Sequence, residues 1–349
     1  MSTWRTAIAT MMLIPCSGLP APVQDGRRAA AQIFQRLDRN RDGYVDDTEL
    51  QRQSVFAQYD ADGDGRISRA ELGLPAAEAA AALRVVKDVA YGDHAQQTLD
   101  HYRPADIRQA PVMIYIHGGG WRVGDKKAVG SKAEFFCRKG WAFVSVNYRL
   151  LPAGQHPANV NDVAAAISWV HDHAAELGID DRLLFVMGHS AGAHLASLVA
   201  THPDALPSVG LKRQQIKGVI SLDTNAYDVA RLMQSPSARY YGQVFGRDAA
   251  AWQDASPERH VTADAGIPPF LICYSSGMRI RKDPQRATNA RAFEQALRTH
   301  AIAAQVIDAS DRNHSEINQR FGTDSDRKVT AVAWQFLNKL ATGSSTAER

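Results

Sequence analysis

The feature that most constrains this chain is Gly188-His189-Ser190-Ala191-Gly192, set between an apolar run, Leu183-Leu184-Phe185-Val186-Met187, and an alanine-rich stretch from Ala193 to Thr201. The context predicts a strand, a sharp turn and a helix. A serine at such a turn has a strained backbone, and the segments entering and leaving it pass close together, so small residues are needed two positions to either side. Gly188 and Gly192 fill both places. The turn lifts the Ser190 hydroxyl over the sheet edge, with a helix N-terminus behind it where a developing oxyanion is stabilised.

Upstream, the buried-strand pattern Pro111 to Ile116 runs into His117-Gly118-Gly119-Gly120-Trp121. Three successive glycines leave backbone N–H groups uncovered and close to a bound carbonyl, as an oxyanion hole requires. A phosphate loop would continue with Lys-Ser or Lys-Thr, whereas here Trp121-Arg122-Val123 follows. Backbone N–H groups of Ala191 and of Gly119 or Gly120 are therefore the expected oxyanion donors. His117 reads as structural, holding the glycine loop.

Together, His117 to Trp121, Val146-Asn147-Tyr148-Arg149-Leu150, His156-Pro157 with Asp162, and Gly188 to Ala196 resemble the α/β-hydrolase superfamily. Within it they are most similar to the serine esterases with the HGG oxyanion motif, including arylformamidase-like and feruloyl-esterase-like members. The resemblance covers residues 84 to 340 and implies a doubly wound, mostly parallel sheet. Periodicity agrees: apolar strand candidates at 112–116, 142–146, 183–187, 216–222 and 269–274 alternate with helical stretches at 128–139, 159–176, 191–201, 285–299 and 327–341. Residues 226–260, with tyrosines, Met233, Trp252 and several prolines, read as short helices and loops shaping a pocket.

The fold uses the chain order serine, acid, histidine. His314 is the expected base, because it follows the strand-like Ala303 to Ile307 and precedes the final helix. His171, His173, His202 and His300 have weaker positions. The resemblance places the acid after the strand Pro269 to Tyr274, but this chain reads Ser275-Ser276-Gly277-Met278-Arg279-Ile280-Arg281-Lys282-Asp283-Pro284 there. Asp283 is the one acidic residue in that stretch and is assigned, with Asp308 and Glu316 as the other candidates. An Asp before Pro is also a well-formed helix start.

A different chemistry precedes this region. Asp38, Asn40, Asp42, Tyr44, Asp46 and Glu49 occupy positions 1, 3, 5, 7, 9 and 12 of a calcium-binding EF-hand loop, with Gly43 at position 6. Asp60, Asp62, Asp64, Arg66, Ser68 and Glu71 repeat the pattern around Gly65. Calcium takes six to eight oxygens, and Tyr44 and Arg66 supply theirs from the backbone. Val45 and Ile67 sit at position 8, where paired loops form a short strand contact. The loops begin 22 residues apart, leaving room for one shared helix between Glu49 and Asp60. The expected module is small and all-α, anchored by Ile33, Phe34, Leu37, Leu50, Phe56 and Leu72, and it resembles the short EF-hand pairs of exported bacterial proteins.

The expected organisation is a signal peptide at 1–21, the EF-hand pair at 28–74, a linker at 75–83, the hydrolase domain at 84–341 and a disordered tail at 342–349. Met1 to Arg5 followed by Thr6 to Ile14 has the form of an export leader, which points to the periplasm or beyond. Once the leader with Cys16 is removed, Cys137 and Cys273 remain, expected as buried free thiols. Forty basic and 37 acidic residues give +3, which suggests no nucleic-acid partner, and no apolar run spans a bilayer. The chain is expected to cleave a small-molecule or carbohydrate-linked ester, short-chain or aryl, with structural Ca2+ and no cofactor for the chemistry. The alternatives are an arylformamidase-like amide hydrolase and a calcium-dependent scaffold with an inactive hydrolase domain.

Overall fold

The structure, a computed structural model, describes residues 34, 37, 38, 44–46, 66–68 and 71 of a first compact unit, Met1–Ala82, and residues 83–105, 107–278 and 282–343 of a second, Leu83–Arg349. The expected leader, the linker up to residue 82, the side chains of Ile33, Leu50, Phe56 and Leu72, and residues 344–349 lie outside the described residues.

In the first unit, β1 (Tyr44–Asp46) pairs antiparallel with β2 (Arg66–Ser68). Val45 stands opposite Ile67, the contact that position 8 of two paired loops makes. Phe34, Val45 and Ile67 are all buried, and the amide of Asp38 donates to the Phe34 carbonyl at 2.8 Å, so the first loop leaves directly from a helical turn.

The second unit is built on an eight-stranded sheet ordered β3-β4-β6-β5-β7-β8-β9-β10. Its strands are β3 (Leu83–Ala90), β4 (Thr98–Pro104), β5 (Ala110–Ile116), β6 (Ala142–Val146), β7 (Ile179–His189), β8 (Ile216–Leu222), β9 (Phe270–Ser275) and β10 (Ala304–Ala309). From β6 to β10 all neighbours are parallel, and β4 runs antiparallel to β3 and β6. Successive side chains on β5 alternate between two cores: Val112, Ile114 and Ile116 pack into one, Met113 and Tyr115 into the other. A strand covered on both faces needs a continuous apolar run, which is why these segments stand out in the sequence.

β3 and β4 have no such signature. β3 is an edge strand exposed along most of its length, so burial imposes no apolar pattern on it. The helix Ala191–Thr201 is the opposite case, with every residue buried. Its two hydroxyls are satisfied within the helix, Ser197 Oγ donating to Ala193 O at 2.8 Å and Thr201 Oγ1 to Ser197 O at 3.0 Å. Cys137 and Cys273 are buried and unbridged, and burial pushes the Cys137 thiol up to about 12. Among the described residues no helix is long and apolar enough to cross a membrane.

Lys132, in the helix Lys132–Arg138, is buried with its ammonium donating to Asn318 O at 2.7 Å and lying 5.2 Å from the centre of the Tyr115 ring. Burial lowers its pKa to about 7, against roughly 10.4 for a free lysine. Between those values the unfolded chain binds the proton and the folded chain does not, so this residue's contribution to stability rises with pH. The penalty is fully present below pH 7 and is relieved above it. Relative to Lys132→Met, the wild-type thermal midpoint is expected to be level from pH 5 to 6 and to gain from pH 7 to 9; parallel curves across that range would contradict it.

Candidate active site

The carboxyl ends of parallel strands share one edge of the sheet, and the site is assembled there. β5 delivers the glycine loop, β7 delivers Ser190, β8 delivers Asp223, and the loop after β10 delivers His314. Ser190 sits at φ 58°, ψ −118°, a conformation that costs a non-glycine residue about 1–3 kcal/mol. Neighbouring glycines make the turn sterically feasible. A Cβ on Gly188 would lie 2.1 Å from Gly192 O, and one on Gly192 would lie 2.0 Å from Ile116 O. The Ser190 amide is held by Leu222 O at 2.9 Å.

The glycine loop lies against the nucleophile: a Cβ on Gly118 would come within 3.0 Å of Ser190 Cβ. Gly119 and Gly120 have φ of 120° and 61° and line the same cleft as Ser190 and Ala191. Ala191 is the first residue of its helix, so its N–H has no carbonyl one turn earlier to bond within the helix. His117 braces the loop. Its Nδ1 is 2.7 Å from Gly118 O, its ring stacks on Tyr148 at 4.7 Å, and Tyr148 Oη donates to His117 O at 3.0 Å.

His314 is the first residue of the helix His314–Arg320, started by a capping box in which Asn313 Oδ1 accepts from Ser315 N and Glu316 N while Glu316 Oε2 accepts from Asn313 N. The His314 amide donates to Gly277 O at 2.7 Å, and its carbonyl lies 2.9 Å from His189 Nε2. Burial, aided by the nearby His314 ring, lowers the His189 pKa to about 3, so His189 stays neutral and donates that bond. Held in this way, His314 places Nε2 2.9 Å from Ser190 Oγ and Nδ1 2.6 Å from Asp223 Oδ2.

The acid facing His314 is therefore Asp223 rather than Asp283. Asp223 follows β8 directly, at φ 61°. It also accepts from Ser275 N at 2.9 Å, from Ser275 Oγ, and from Arg286 Nη1 at 2.9 Å. Burial alone would raise its pKa; the His314 hydrogen bond, the Arg286 guanidinium and Ser275 outweigh that and hold the carboxyl well below the usual carboxylate range. Asp283 is engaged elsewhere, accepting from Asn225 Nδ2 at 2.7 Å and from the first helical amide, Gln285 N, at 3.1 Å. It starts a helix, as an Asp before Pro does. Asp308 accepts from Ser310 N, and Glu316 closes the capping box. Ser275 stands at the end of β9, where the resemblance placed the acid, and donates to the acid one strand inward. The visible signal was an acidic residue immediately after an apolar strand, between Ser190 and His314 in chain order.

A cleft of about 1030 Å³ opens above the serine. Its aromatic side comes from the helix Ala238–Phe245, which supplies Tyr240 and Tyr241, and its polar side includes Arg231, Asp283 and Arg286. Tyr240 Oη donates to Gly120 O at 3.2 Å, closing this segment on the glycine loop. Trp121 is buried beneath, edge-on to His194, Tyr241 and Phe245.

Of the expected calcium ligands, Asp38 is buried and Glu71 is half-buried. Tyr44, Asp46, Arg66 and Ser68 lie on the paired strands. Asn40, Asp42, Glu49, Asp60, Asp62 and Asp64 lie outside the described residues. Val45 and Ile67, at position 8 of the two loops, pair directly.

This architecture is an α/β-hydrolase with a serine, a histidine and a carboxylate in hydrogen-bonded series, preceded by an EF-hand module. The chain belongs to the BD-FAE family, which it matches over residues 99–280, and it matches the EF hand over 30–52 and 53–74. It is 31% identical over 270 residues to "Esterase LipQ" of Mycobacterium tuberculosis, covering 72% of this chain and 62% of that protein. It is likewise 31% identical to "Probable carboxylic ester hydrolase LipM" of the same organism, covering 60% and 51%. The chain thus spans between half and two thirds of these relatives' lengths. Among solved structures it resembles esterase B from Lactobacillus rhamnosis, with a TM-score of 0.62 and 21% identity over 75% of this chain and 87% of that one. A truncated carbohydrate esterase from gut microbiota matches with a TM-score of 0.60 and 19% identity, covering 74% and 96%.

Asp223→Asn is expected to lower turnover of an activated ester by roughly 10³-fold or more, because the amide cannot hold Nδ1–H as the carboxylate does. Asp283→Asn should cost less than about tenfold. A reversed ranking in steady-state assays would return the acid to Asp283.

Proposed function

We propose that this chain is a serine carboxylesterase for short-chain or aryl esters. The observation that carries the reading is the series Ser190 Oγ, His314 Nε2 at 2.9 Å, His314 Nδ1 and Asp223 Oδ2 at 2.6 Å. Ser190 attacks the ester carbonyl while His314 Nε2 takes its proton. Asp223 keeps the proton on Nδ1 and stabilises the imidazolium. The N–H groups of Ala191 and of Gly119 or Gly120 receive the oxyanion, His314 returns the proton to the leaving alcohol, and water then releases the acid by the same route.

The relatives named as esterases favour ester over amide cleavage. An inactive scaffold would draw its support from the atypical loop after β9, whose Asp283 is engaged away from His314, and the carboxylate of Asp223 beside His314 Nδ1 weighs against it. Trp121, Tyr240 and Tyr241 beside the serine suit a short acyl or flat aryl group, and the polar rim suits a hydroxylated alcohol half such as a sugar. The N-terminal module binds calcium through Asp38, Asn40, Asp42, Tyr44, Asp46 and Glu49 and their counterparts from Asp60 to Glu71. Calcium acts there on folding, and no catalytic step uses it. Export, read from residues 1–21, would expose the module to abundant calcium.

Ser190→Ala is expected to abolish hydrolysis of p-nitrophenyl butyrate, by roughly 10³-fold or more, in a protein with unchanged circular dichroism. Retained activity would refute the nucleophile. Butyryl esters should turn over faster than palmitoyl esters. Chelation should increase proteolysis within residues 28–73 while sparing ester hydrolysis; at a hundredfold excess over its dissociation constant each site adds about 2.7 kcal/mol to the module. Glu49→Gln with Glu71→Gln should mimic the chelator, and reversible loss of activity in a folded, chelated protein would make the module a switch instead.

A further inference from the structure

Away from the serine, four histidines converge on the turn Asp254-Ala255. His156 Nε2 lies 2.6 Å from Asp254 Oδ2 and His202 Nε2 lies 3.0 Å from Asp254 Oδ1. His260 Nε2 lies 2.8 Å from the Asp254 carbonyl, and His194 Nε2 lies 2.8 Å from the Ala255 carbonyl. The catalytic series uses none of them. Three side chains, His202, Asp254 and His260, each bring a ligand atom within 4.8 Å of the other two, and the His202 and His260 rings are 4.5 Å apart.

The hydrogen bonds determine which atoms are available. A backbone carbonyl only accepts, so His260 donates from Nε2, and its Nδ1 carries a free lone pair. Asp254 uses Oδ2 for His156, which leaves Oδ1 facing His202 Nε2. Two imidazole nitrogens and one carboxylate oxygen form a donor set for a borderline divalent ion of the zinc class, and they do not suit calcium or magnesium. A ligating histidine and a ligating carboxylate normally have outer partners that fix them. The Asp254 carbonyl does this for His260, and His156, with 2% of its side chain exposed, does it for Asp254.

The geometry points to a zinc-class metal site formed by His202, Asp254 and His260, with water in the fourth position. On binding, the ion takes the place of the proton between His202 Nε2 and Asp254 Oδ1, and that proton moves to the other ring nitrogen, so the ligand stays a neutral imidazole and this change releases no net proton. His202 Nδ1 then becomes the protonated nitrogen, and the Asp204 amide now donating to it at 3.1 Å turns to solvent, to which that contact is exposed. The three ligands come from separate segments. His202 directly follows the helix that begins beside Ser190, Asp254 ends the helix Ala249–Asp254, and His260 ends the 3-10 turn Pro257–His260. An ion here ties the segment that lines the cleft to the nucleophile's helix, and its effect is on stability rather than on the reaction.

The test uses tag-free full-length protein, saturated with calcium so that the EF-hand loops are filled, and titrated with Co2+ and then Zn2+. One equivalent of Co2+ with visible ligand-field bands, displaced by Zn2+, is expected. Zn2+ at a hundredfold excess over its dissociation constant should raise the thermal midpoint of the second unit by roughly 5 °C. His202→Ala and the milder His260→Gln should each lose the equivalent and the shift while keeping ester hydrolysis. Absence of binding by wild-type protein at tens of micromolar metal, a requirement that needs no variant to fold, would overturn the site. Undiminished binding in both variants would overturn it as well.

Discussion

The site depends on one buried carboxylate. Asp223 has no accessible surface, yet it stays charged because its two oxygens are met by His314, by Arg286 and by both the amide and the hydroxyl of Ser275. An isolated charge in that position would be neutralised or expelled. Each partner is supplied by a different segment, so the carboxylate is stable only when β8, β9, the following helix and the His314 loop are all in place. The same bonds that make its burial tolerable also aim the imidazole at Ser190.

Close approach of backbone is the second constraint. Gly188, Gly192 and Gly118 stand where a single added carbon would collide with backbone or with the serine itself. The strain in Ser190 is sustained by surroundings that cannot relax: a fully buried helix on one side, a sheet buried on both faces beneath, and the Leu222 carbonyl holding its amide. The glycine loop is fixed in the same way, braced by the stacked rings of His117 and Tyr148 and by the Tyr148 hydroxyl on His117 O.

The N-terminal module and the segment over the cleft illustrate two ways of stabilising structure that has little core of its own. The module's described core is a few side chains around the Val45–Ile67 pair, and under the proposed reading bound calcium would supply much of the folding free energy of so small a unit. The segment from Val229 to His260 is made of short helices, each too short to be stable alone. It is held by packing against Trp121 and by the histidine bonds to Asp254 and Ala255.

The sequence by itself determined whatever depends on residues close together in the chain. The elbow, the glycine loop and the EF-hand loops are each a matter of sterics or ligand spacing within a dozen residues, and the central strands announce themselves because burial on both faces demands unbroken apolar runs. The edge strand β3 left little trace, since solvent tolerates almost any side chain on an exposed edge, and β4, paired on both sides and largely buried, carries Asp100 and His101 in place of an unbroken apolar run. Only the tertiary structure decided which acid meets His314. Asp223 and Asp283 both lie between Ser190 and His314 in the chain, and Asp283 occupies the expected loop. Strand order brings Asp223 to the histidine and leaves Asp283 to start a helix and accept from Asn225. The histidines around Asp254 were equally hidden, because residues 156, 194, 202 and 260 become neighbours only when the chain folds.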